Sequence, residues 1–479
     1  MRKLKPLIEE IKLEHPLDET FALFIGDPYP FWLDSSLPGG KMGRWSFMGS
    51  TPFLTLKTYG KKIFMEEGGT LVQTEANPFK ILRTQLNRFS IERTGTDIPF
   101  LGGAVGFFSY DLGRMVEHIP DQTTDDLNTP DMYLSFYHTV LAIDHMENRA
   151  YIIASGLPAN DEKAAAKAAA DLALFKEKLA QAIPNLPDPW AEPNISASNI
   201  HTHFTPEAYC DAVDTVKKYI VAGDIYQANM TQRLDAPLKM PPYQLYRRLR
   251  RANPAPFAAY LDCGDDFRVL SSSPERFLML ENNTVETRPI KGTRPRGKTP
   301  EEDRTNSEEL LASKKDRAEL VMIIDLERND LGRVCSYGTV HVPELIILEE
   351  YATVFHLVST VRGKLAPGKD TVDLIKASFP GGSITGAPKI RAMEIIEELE
   401  PFRRGVYTGS IGYIGFDGRT DLNIAIRTFI NKGGSVHLQV GGAIVFDSDP
   451  RLEYEETLHK AKALLKSLGV TQFPEVSHD

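Results

Sequence analysis

A lysine at the centre of residues 287–297 is the clearest candidate for a reactive group. The segment reads Thr-Arg-Pro-Ile-Lys-Gly-Thr-Arg-Pro-Arg-Gly, and its lysine is Lys291. Prolines restrict the backbone and glycines permit tight turns, so we expect the Lys291 amine to occupy a fixed position. Such an amine becomes a nucleophile when its surroundings lower its pKa. A basic surface loop is the alternative interpretation.

Two acidic pairs have the spacing of neighbours on a helix. Asp316 and Glu319 form one pair, and Glu453 and Glu456 form the other. Positions i and i+3 lie on the same helical face, so each pair can direct two carboxylates toward one point. Two such helices would suit Mg²⁺, which binds a few protein oxygens and leaves positions for substrate and water. Solvated acidic faces, or acids that stabilise a helix N-terminus, are the alternatives.

Two further side chains are candidates for acid–base chemistry. Glu275 occurs in Ser-Ser-Ser-Pro-Glu-Arg-Phe, and a carboxylic acid opposite Lys291 would form an acid–nucleophile pair. His356 occurs in Thr-Val-Phe-His-Leu-Val-Ser and could be a base or a hydrogen-bond donor. A lone histidine in an apolar strand is more often part of the core, so this second assignment stays open.

Glycine-rich segments indicate anion binding. Residues 379–389, Phe-Pro-Gly-Gly-Ser-Ile-Thr-Gly-Ala-Pro-Lys, lead into a helix, where backbone N–H groups can bind a carboxylate or a phosphate. Ala387 stands where a nucleotide-binding P-loop requires lysine, which argues against an NTPase. Gly441 and Gly442 follow an apolar strand, and Arg427 ends another one. Arg427 could therefore bind a carboxylate bidentately or form a structural ion pair.

Composition excludes several classes of protein. The chain has 479 residues, of which 42% are hydrophobic and 25% charged, as expected of a soluble globular protein. A net charge of −10 and the absence of a basic block argue against nucleic-acid binding. No apolar run has the length of a membrane span, and no signal-peptide core follows the first residues. We therefore expect neither nucleic-acid nor membrane partners.

The cysteines indicate the compartment and exclude one activity. Cys210, Cys263 and Cys335 show neither a disulfide framework nor metal-binding spacing, which fits a reducing cytoplasm. None of them lies in a Gly-x-Cys-x-Gly turn. The sequence therefore encodes no cysteine-dependent glutaminase.

The elements that would position these residues fall into two parts. Residues 1–185 are predicted to be β-rich, with strands in 19–33, 44–75, 101–110 and 132–154 and an amphipathic helix from Glu162 to Ile183. Residues 186–200 are rich in proline and form a linker or crossing segment. Residues 201–479 form the second part.

The second part mixes strands with helices. Helices are predicted at 206–222 with Thr205 as N-cap, and at 306–330, 370–378, 387–400 and 450–469. Strands are predicted near 224–235, 256–263, 267–271, 277–288, 338–348, 354–363, 405–416, 422–431 and 434–446. Strands and helices do not alternate strictly. The prediction is an α+β fold in which large antiparallel β-sheets pack together with helices on the outside.

Six ordered motifs resemble those of chorismate-utilising enzymes. They span roughly residues 205–465 and read Gly-Asp-Ile-Tyr-Gln-Ala-Asn, Ser-Pro-Glu-Arg-Phe, Arg-Pro-Ile-Lys-Gly-Thr, Asp-Leu-Glu-Arg-Asn-Asp-Leu-Gly-Arg-Val-Cys, Phe-Pro-Gly-Gly-Ser-Ile-Thr-Gly-Ala-Pro-Lys and Tyr-Thr-Gly-Ser-Ile-Gly-Tyr. The N-terminal part matches only loosely, at 43–49 and 102–111. The resemblance implies the fold of that family, with an N-terminal domain (1–185) and a chorismate-binding catalytic domain (201–479).

The resemblance also implies roles for individual residues. It implies a Mg²⁺ ion that bridges Glu319 and Glu456 to the ring carboxylate of chorismate, with Asp316 and Glu453 as outer acidic partners. Asp316 departs from the family pattern, in which glutamate is usual. The substrate-binding residues implied by the resemblance are Thr293, His356, Tyr407, Arg427, Gly441, Gly442 and Lys460. Of these, Thr293 and His356 match positions near the ring and its departing hydroxyl.

Two positions separate the reactions within the family. Members that add water to chorismate carry a lysine base where this chain has Gln227. Anthranilate synthases have alanine where Lys291 stands, and lysine there is typical of aminodeoxychorismate synthases. The resemblance thus implies that Lys291 attacks ring carbon C2 while Glu275 protonates the C4 hydroxyl as it leaves. Ammonia then adds at C4 and expels the lysine.

The resemblance implies partners as well. Ammonia would come from a separate glutamine amidotransferase subunit, because the chain encodes no glutaminase. Relatives can bind tryptophan in the N-terminal part, but their Leu-Leu-Glu-Ser element is replaced here by Phe31–Ser36. This replacement argues against tight feedback inhibition by tryptophan, assigns no pocket, and leaves open a tryptophan bound in the N-terminal part. The alternatives are an anthranilate synthase component I, which releases pyruvate, and a non-catalytic chorismate-binding protein.

Overall fold

Strands with apolar inner faces build two large sheets in the computed structural model, which describes residues 4–36, 42–93, 95–191, 195–351 and 354–470. The elements up to residue 191 are β1 (Leu7–Ile11), α1 (Leu17–Ala22), β2 (Phe31–Asp34), β3 (Trp45–Gly49), β4 (Leu54–Tyr59), β5 (Lys62–Glu67), β6 (Thr70–Glu75), α2 (Pro78–Arg88), β7 (Gly103–Phe108), β8 (Met132–Tyr137), β9 (Thr139–Asp144), β10 (Arg149–Ala154) and α3 (Asp161–Leu179).

The elements after residue 195 supply most of the helices. They are β11 (His201–Thr202), α4 (Pro206–Ala222), β12 (Gln227–Pro237), α5 (Pro242–Ala252), β13 (Phe257–Asp262), β14 (Phe267–Ser273), β15 (Arg276–Glu281), β16 (Thr284–Arg288), β17 (Ile290–Pro295), α6 (Pro300–Ala312), α7 (Lys314–Gly332), β18 (His341–Glu350), β19 (Val354–Lys364), α8 (Thr371–Ser378), β20 (Gly386–Ala387), α9 (Lys389–Leu399), β21 (Ser410–Gly415), β22 (Thr420–Asn423), β23 (Thr428–Lys432), β24 (Ser435–Ile444) and α10 (Pro450–Ser467).

Each sheet contains 12 of the strands found in the described ranges. The first sheet has the order β1-β10-β9-β3-β2-β13-β14-β23-β24-β12-β11, with β20 also paired to β12. The second has the order β17-β19-β16-β15-β22-β21-β7-β8-β4-β5-β6, with β18 also paired to β19. Long antiparallel ladders such as β12–β24 hold them together. The predicted α+β fold with large antiparallel sheets is confirmed.

Both sheets contain strands from both sides of the proline-rich segment 186–200. In the first sheet β2 pairs with β13, and in the second β7 pairs with β21. The division at 186–200 therefore remains a division of the sequence, while the two parts share both sheets. Three of the residues in that segment, 192–194, lie outside the described ranges.

The main core lies where the sheets face each other. Phe47 of β3 packs against Tyr413 of β21 with ring centroids 5.7 Å apart, and Phe107 of β7 meets Phe267 of β14 at 5.8 Å. All four side chains are buried. Burying an aromatic side chain of this size stabilises a fold by roughly 1.5–3 kcal/mol, so such contacts hold the two sheets in a fixed relation.

Several boundaries differ from the sequence-based predictions. The single helix predicted at 306–330 is wrong: α6 ends at Ala312, and Ser313 begins α7 by accepting a hydrogen bond from the Asp316 backbone N–H (3.2 Å). A serine N-cap of this kind starts a new helix within a helical pattern. Part of 19–33 is helix α1 rather than strand, and α2 and α5 were not predicted.

Other boundaries are confirmed. Helix α4 covers 206–222, and the Thr205 hydroxyl accepts from the Ala208 N–H at 3.2 Å, as expected of its N-cap. Among the described helices, none combines the length and apolar content needed to cross a membrane.

Candidate functional site

Lys291 and Glu275 lie close together beneath the glycine-rich turn at 381–385. Lys291 is on β17, opposite Leu357 of β19, and its Nζ donates to the Ser383 carbonyl at 3.4 Å. Burial lowers the pKa of Lys291, and the carboxylates of Glu319 and Glu275 oppose this change. The predicted fixed amine is therefore present in an environment that favours its neutral form.

Glu275 is the acid beside this amine. It lies in the short connection between β14, which ends at Ser273, and β15, which begins at Arg276, and it is only 5% exposed. Burial raises its pKa to about 7, and this rise is opposed by the nearby Ser383, Lys291 and Ile290 N–H. A carboxyl group with this pKa retains its proton in a large fraction of molecules at neutral pH and can deliver it to a leaving group.

Thr293, His356 and Arg427 form a neighbouring cluster. The Thr293 hydroxyl and His356 Nδ1 are 2.9 Å apart across the β17–β19 ladder. Burial, and secondarily the positive charge of Arg427, lowers the pKa of His356 to about 3. His356 is therefore neutral at physiological pH and a weak base, and the contact that the structure shows for its ring nitrogen Nδ1 is the one with the Thr293 hydroxyl.

Arg427 occupies a strained backbone position. Its φ is +51°, in the left-handed region, and its Nη1 donates to Asn253 Oδ1 at 2.7 Å. Strain of this sort is maintained where the surrounding structure requires it and is common in binding sites. Asn253 ends helix α5, so the prediction from sequence alone could not identify it as the partner.

The two acidic pairs lie on α7 and α10, as their spacing predicted. Glu453 accepts from the Ser448 hydroxyl at 2.6 Å and forms an ion pair with Lys315 at 3.5 Å. Burial raises the pKa of Glu319, opposed by Lys291 and Lys315 and supported by Asp316 and Glu453. The charges of both helices thus influence one another across the site.

Gly442 allows α10 to approach β24 closely. A Cβ atom there would lie only 3.1 Å from Glu453 Oε2 and 3.7 Å from Glu456 Oε1. Lys460 of α10 donates to the Gly441 carbonyl at 2.8 Å and pairs with Glu456 at 2.7 Å. Burial tends to raise the pKa of Glu456, but Lys460 outweighs it and the net pKa is lowered. Gly441, Gly442 and Lys460 therefore lie beside the carboxylates.

Tyr407 is a buried side chain close to Arg404. It is 6% exposed, and burial raises its pKa, with Arg404 opposing. The next residue, Thr408, donates from its backbone N–H to the Ala425 carbonyl at 2.8 Å, which places this segment beside the one that ends in Arg427. The hydrogen bond between Thr408 and Ala425 brings the segments that carry Tyr407 and Arg427 side by side, and the shared role of the two residues stays a prediction.

Comparisons with known proteins agree on one family. The sequence profile of chorismate binding enzymes matches residues 30–466. Aminodeoxychorismate synthase component 1 of Bacillus subtilis is 40% identical over 436 residues, which cover 91% of this chain and 92% of that protein. Anthranilate synthase component 1 of Thermus thermophilus is 42% identical over 460 residues, or 96% of each chain. The chain belongs to the chorismate binding enzyme family.

Solved structures support the same assignment. Anthranilate synthase component I from Streptococcus pneumoniae superposes with a TM-score of 0.77 at 33% identity and covers 89% of this chain and 93% of its own. The menaquinone-specific isochorismate synthase of Escherichia coli has a TM-score of 0.70 at 17% identity and covers 97% of this chain and 95% of its own. The second likeness shows the shared fold alone.

The acidic groups of this chorismate binding enzyme fit a metal ion only in part. Among the described residues, no three His, Cys, Asp or Glu side chains are arranged so that they could bind a metal by themselves. Two of the four carboxylates already contact lysines, namely Glu453 with Lys315 and Glu456 with Lys460. Magnesium commonly binds one or two carboxylates and takes its other ligands from substrate and water, and that arrangement fits these residues.

Some residues of the site were missed by sequence reasoning. Ser383 contributes a backbone carbonyl, which no side-chain pattern can reveal. Lys315 precedes the predicted Asp316 in the sequence and forms an ion pair with Glu453 of α10. Its positive charge next to a predicted acidic residue was the available signal. Gln227, by contrast, was singled out from the sequence; it is fully buried, and neither of its amide atoms has a hydrogen-bond partner in the described part of the chain.

A cavity of about 400 Å³ lies between the sheets, and Lys291 is not among its lining residues. Its lining includes Asp34, Trp45, Arg276 and Asp421, contributed by both sheets. Arg276 is held by Asp421 at 2.8 Å and by Glu286 at 3.0 Å. The lining combines charged side chains with apolar ones, and residues 37–41, next to Asp34 and Met42 in the sequence, lie outside the described ranges.

Proposed function

We propose that this enzyme aminates chorismate to 4-amino-4-deoxychorismate, with Lys291 as a covalent nucleophile and Glu275 as the general acid. The observation that carries the proposal is the pairing of a buried amine whose pKa is lowered with a buried carboxyl group whose pKa is raised to about 7. Both groups are thereby biased toward the neutral forms that the reaction requires.

In the first half of the reaction, the neutral Lys291 amine forms a bond to ring carbon C2. The two ring double bonds shift, and the bond from C4 to its hydroxyl oxygen breaks. Hydroxide is a poor leaving group, so the Glu275 carboxyl donates its proton and water departs. The Ser383 carbonyl, 3.4 Å from Lys291 Nζ, holds the amine during the attack.

In the second half, ammonia forms a bond to C4 and the double bonds shift back. The bond between C2 and Lys291 Nζ breaks, and the lysine leaves as a neutral amine. The Glu275 carboxylate takes the proton that the new amino group loses, which restores the starting state. The enolpyruvyl group is retained, so the balance is chorismate plus ammonia to 4-amino-4-deoxychorismate plus water.

We also propose a magnesium requirement. Glu319 and Glu456 would hold the ion, with Asp316 and Glu453 as outer partners. When bound, Mg²⁺ would draw electron density from the ring carboxylate and fix its orientation. Lys460 beside Glu456 and Arg427 beside Asn253 supply positive charges for the carboxylates of the substrate.

The proposed reaction consumes ammonia, and the chain shows no means of producing it from glutamine. Burial raises the pKa of all three thiols, Cys210, Cys263 and Cys335, which disfavours the nucleophilic thiolate. We therefore propose a separate glutamine amidotransferase subunit as partner. Relatives that carry the name "component 1" support this inference.

The test is a product analysis with chorismate, Mg²⁺ and ammonium. Aminodeoxychorismate without pyruvate is the expected result, identified by mass spectrometry together with a pyruvate assay. Anthranilate with an equal amount of pyruvate would replace the proposal with the lyase reaction. Binding of chorismate without any product would indicate a non-catalytic protein.

Anthranilate synthesis is the second candidate because the relative from Thermus thermophilus is 42% identical over 96% of this chain. Identity alone does not separate the two reactions. Lys291 favours amination, since anthranilate synthases carry alanine there in the resemblance described above. Gln227 argues against water addition, because an amide cannot act as the lysine base of the hydrating members.

We also propose that the N-terminal part of the protein binds tryptophan. The cavity that includes Asp34 and Trp45 has the volume for an amino acid of that size. Its lining offers charged groups of both signs, as an amino acid requires. Isothermal titration with tryptophan, repeated on Asp421→Asn, measures whether it binds there.

A further inference from the structure

Asn229 of β12 shares one acceptor atom with Lys291. Its side-chain amide donates to the Ser383 carbonyl at 3.0 Å, and Lys291 Nζ donates to the same oxygen at 3.4 Å. The Asn229 backbone N–H donates to the Thr385 carbonyl at 2.8 Å. Asn229 therefore holds the turn at 381–385 at two points, and one of them is the oxygen that receives the Lys291 amine.

The backbone of Asn229 is held by a buried ion pair. Arg404 donates to the Asn229 carbonyl at 2.7 Å and to the Ile384 carbonyl at 3.0 Å. Glu400 pairs with Arg404 at 2.7 Å, and both side chains are almost fully buried. Strand β12 and the turn are thus tied to one rigid anchor, and the Ser383 carbonyl has little freedom to rotate.

We propose that Asn229 is a positioning residue for Lys291, holding the Ser383 carbonyl where it accepts one N–H of the amine and so fixes the direction of the nitrogen lone pair. A carbonyl oxygen has two lone pairs and can accept both bonds. The catalytic consequence rests on the proposed role of Lys291 as nucleophile. The contact with the amine does not depend on it.

The positioning matters because lysine is long and flexible. A reacting atom displaced by about 1 Å can cost on the order of 100-fold in rate. The charged groups that face Lys291 are Glu275 after β14, Glu319 of α7, and Glu456 and Lys460 of α10. They act through their charge, whereas the Ser383 carbonyl contacts the amine directly.

Two variants test the proposal, and one control matches them. Asn229→Ala removes the bond to Ser383, and the isosteric Asn229→Asp replaces the amide donor by a carboxylate. Asn431→Ala is the control, because Asn431 also donates its amide to a backbone carbonyl, that of Ser435 at 2.9 Å. Both asparagines have a side-chain oxygen without a partner in the described part of the chain. Asn431 lies on β23, outside the site.

The first readout is chemical and independent of turnover. Acetic anhydride acetylates only neutral amines, so the pH dependence of Lys291 acetylation, measured by peptide mass spectrometry, reports the ionisation of that amine. In Asn229→Asp the new carboxylate stabilises the ammonium form, and the midpoint should move to higher pH by about one unit or more. In Asn431→Ala the midpoint should stay at the wild-type value.

The second readout is the ammonium-dependent reaction. Asn229→Ala should lower kcat for amination by about tenfold to a hundredfold without raising KM for chorismate, since it disturbs the attacking atom and not the substrate contacts. A wild-type kcat in Asn229→Ala, or an unshifted acetylation midpoint in Asn229→Asp, would overturn the proposal. Full amination by Lys291→Ala would instead overturn the proposed function, and the acetylation midpoint would still test the contact.

Discussion

Two buried polar regions lie on opposite sides of Asn229, and they differ in how fully their charged side chains are paired. In the region around Arg404 and Glu400, these two charged side chains are paired with each other. Glu400 accepts from the backbone N–H and the hydroxyl of Thr231 at 3.0 and 2.8 Å and binds Arg404 through both oxygens. Around Lys291, the amine has one long bond to Ser383, and burial shifts the pKa of both Lys291 and Glu275 toward the neutral form.

The difference separates a structural from a chemical use of buried charge. A fully paired ion pair keeps its charge and fixes the backbone around it. Buried groups with few hydrogen-bond or ion-pair partners change their protonation state more easily. A nucleophile and a general acid must both do this during the reaction. Asn229 joins the two regions, since its carbonyl is bound by Arg404 and its amide reaches Ser383.

A large loss of rate is expected when the acid of the reactive region is removed. Glu275→Gln keeps the shape of the side chain and loses the proton donor. We expect kcat to fall by about 100-fold to 10,000-fold, the range for loss of a general acid, with chorismate still bound. Steady-state kinetics with ammonium measures the loss. Residual activity within a few-fold of the wild type would show that another group protonates the leaving hydroxyl.

In the structural region, removal of a charge should cost stability. Glu400→Gln leaves the Arg404 guanidinium buried without its counter-ion, and the free energy of unfolding should fall by about 3–5 kcal/mol. Urea unfolding followed by circular dichroism measures it. The Asn229→Ala variant should lose much less stability. A Glu400→Gln protein as stable as the wild type would mean that this region is not the anchor described here.

Removal of a carboxylate from the proposed metal site should change the requirement for Mg²⁺. Asp316→Asn should weaken the apparent affinity for Mg²⁺ by about 10–100-fold, as expected of an outer partner, and Glu319→Gln should weaken it further. Activity titrated with Mg²⁺ after treatment with EDTA gives both values. Full activity after EDTA treatment would show that the reaction does not require Mg²⁺.

The smallest expected effect is a pH dependence. Glu275 acts in its protonated form and its pKa is about 7, so its contribution is lost as pH rises through neutrality. Lys291 acts as the neutral amine, so its contribution is lost as pH falls. The profile of kcat/KM, taken at constant free ammonia, should therefore have a limb near pH 7 that is absent in Glu275→Gln. A flat profile across neutral pH would contradict the assignment of the acid.

Much of the secondary structure that carries the site could be predicted from the sequence. Proline and a threonine cap define the start of α4, and acidic spacing places Glu319 and Glu456 on helices. The break at Ser313 escaped prediction because the helical pattern continues through it on both sides. Local sequence does not show whether one serine is a helical residue or a cap.

The sequence predicted the reactive side chains of the candidate site but not the contacts that hold them. Lys291 and Glu275 stand out by type and motif, and the structure brings them together. The position of the Ser383 carbonyl and the hydrogen bond that Arg427 donates to Asn253 depend on contacts between distant elements. Backbone atoms are the same in every residue, so their role follows from the fold rather than from residue identity.

The central claim is that the Lys291 amine forms a bond with the substrate, and the most direct test is amination by Lys291→Ala. Purified variant and wild type are supplied with chorismate, Mg²⁺ and ammonium, and aminodeoxychorismate is quantified by mass spectrometry. The account predicts that chorismate still binds to Lys291→Ala while amination falls by at least about 1,000-fold, as expected on loss of a covalent nucleophile. Amination at the wild-type rate would contradict it.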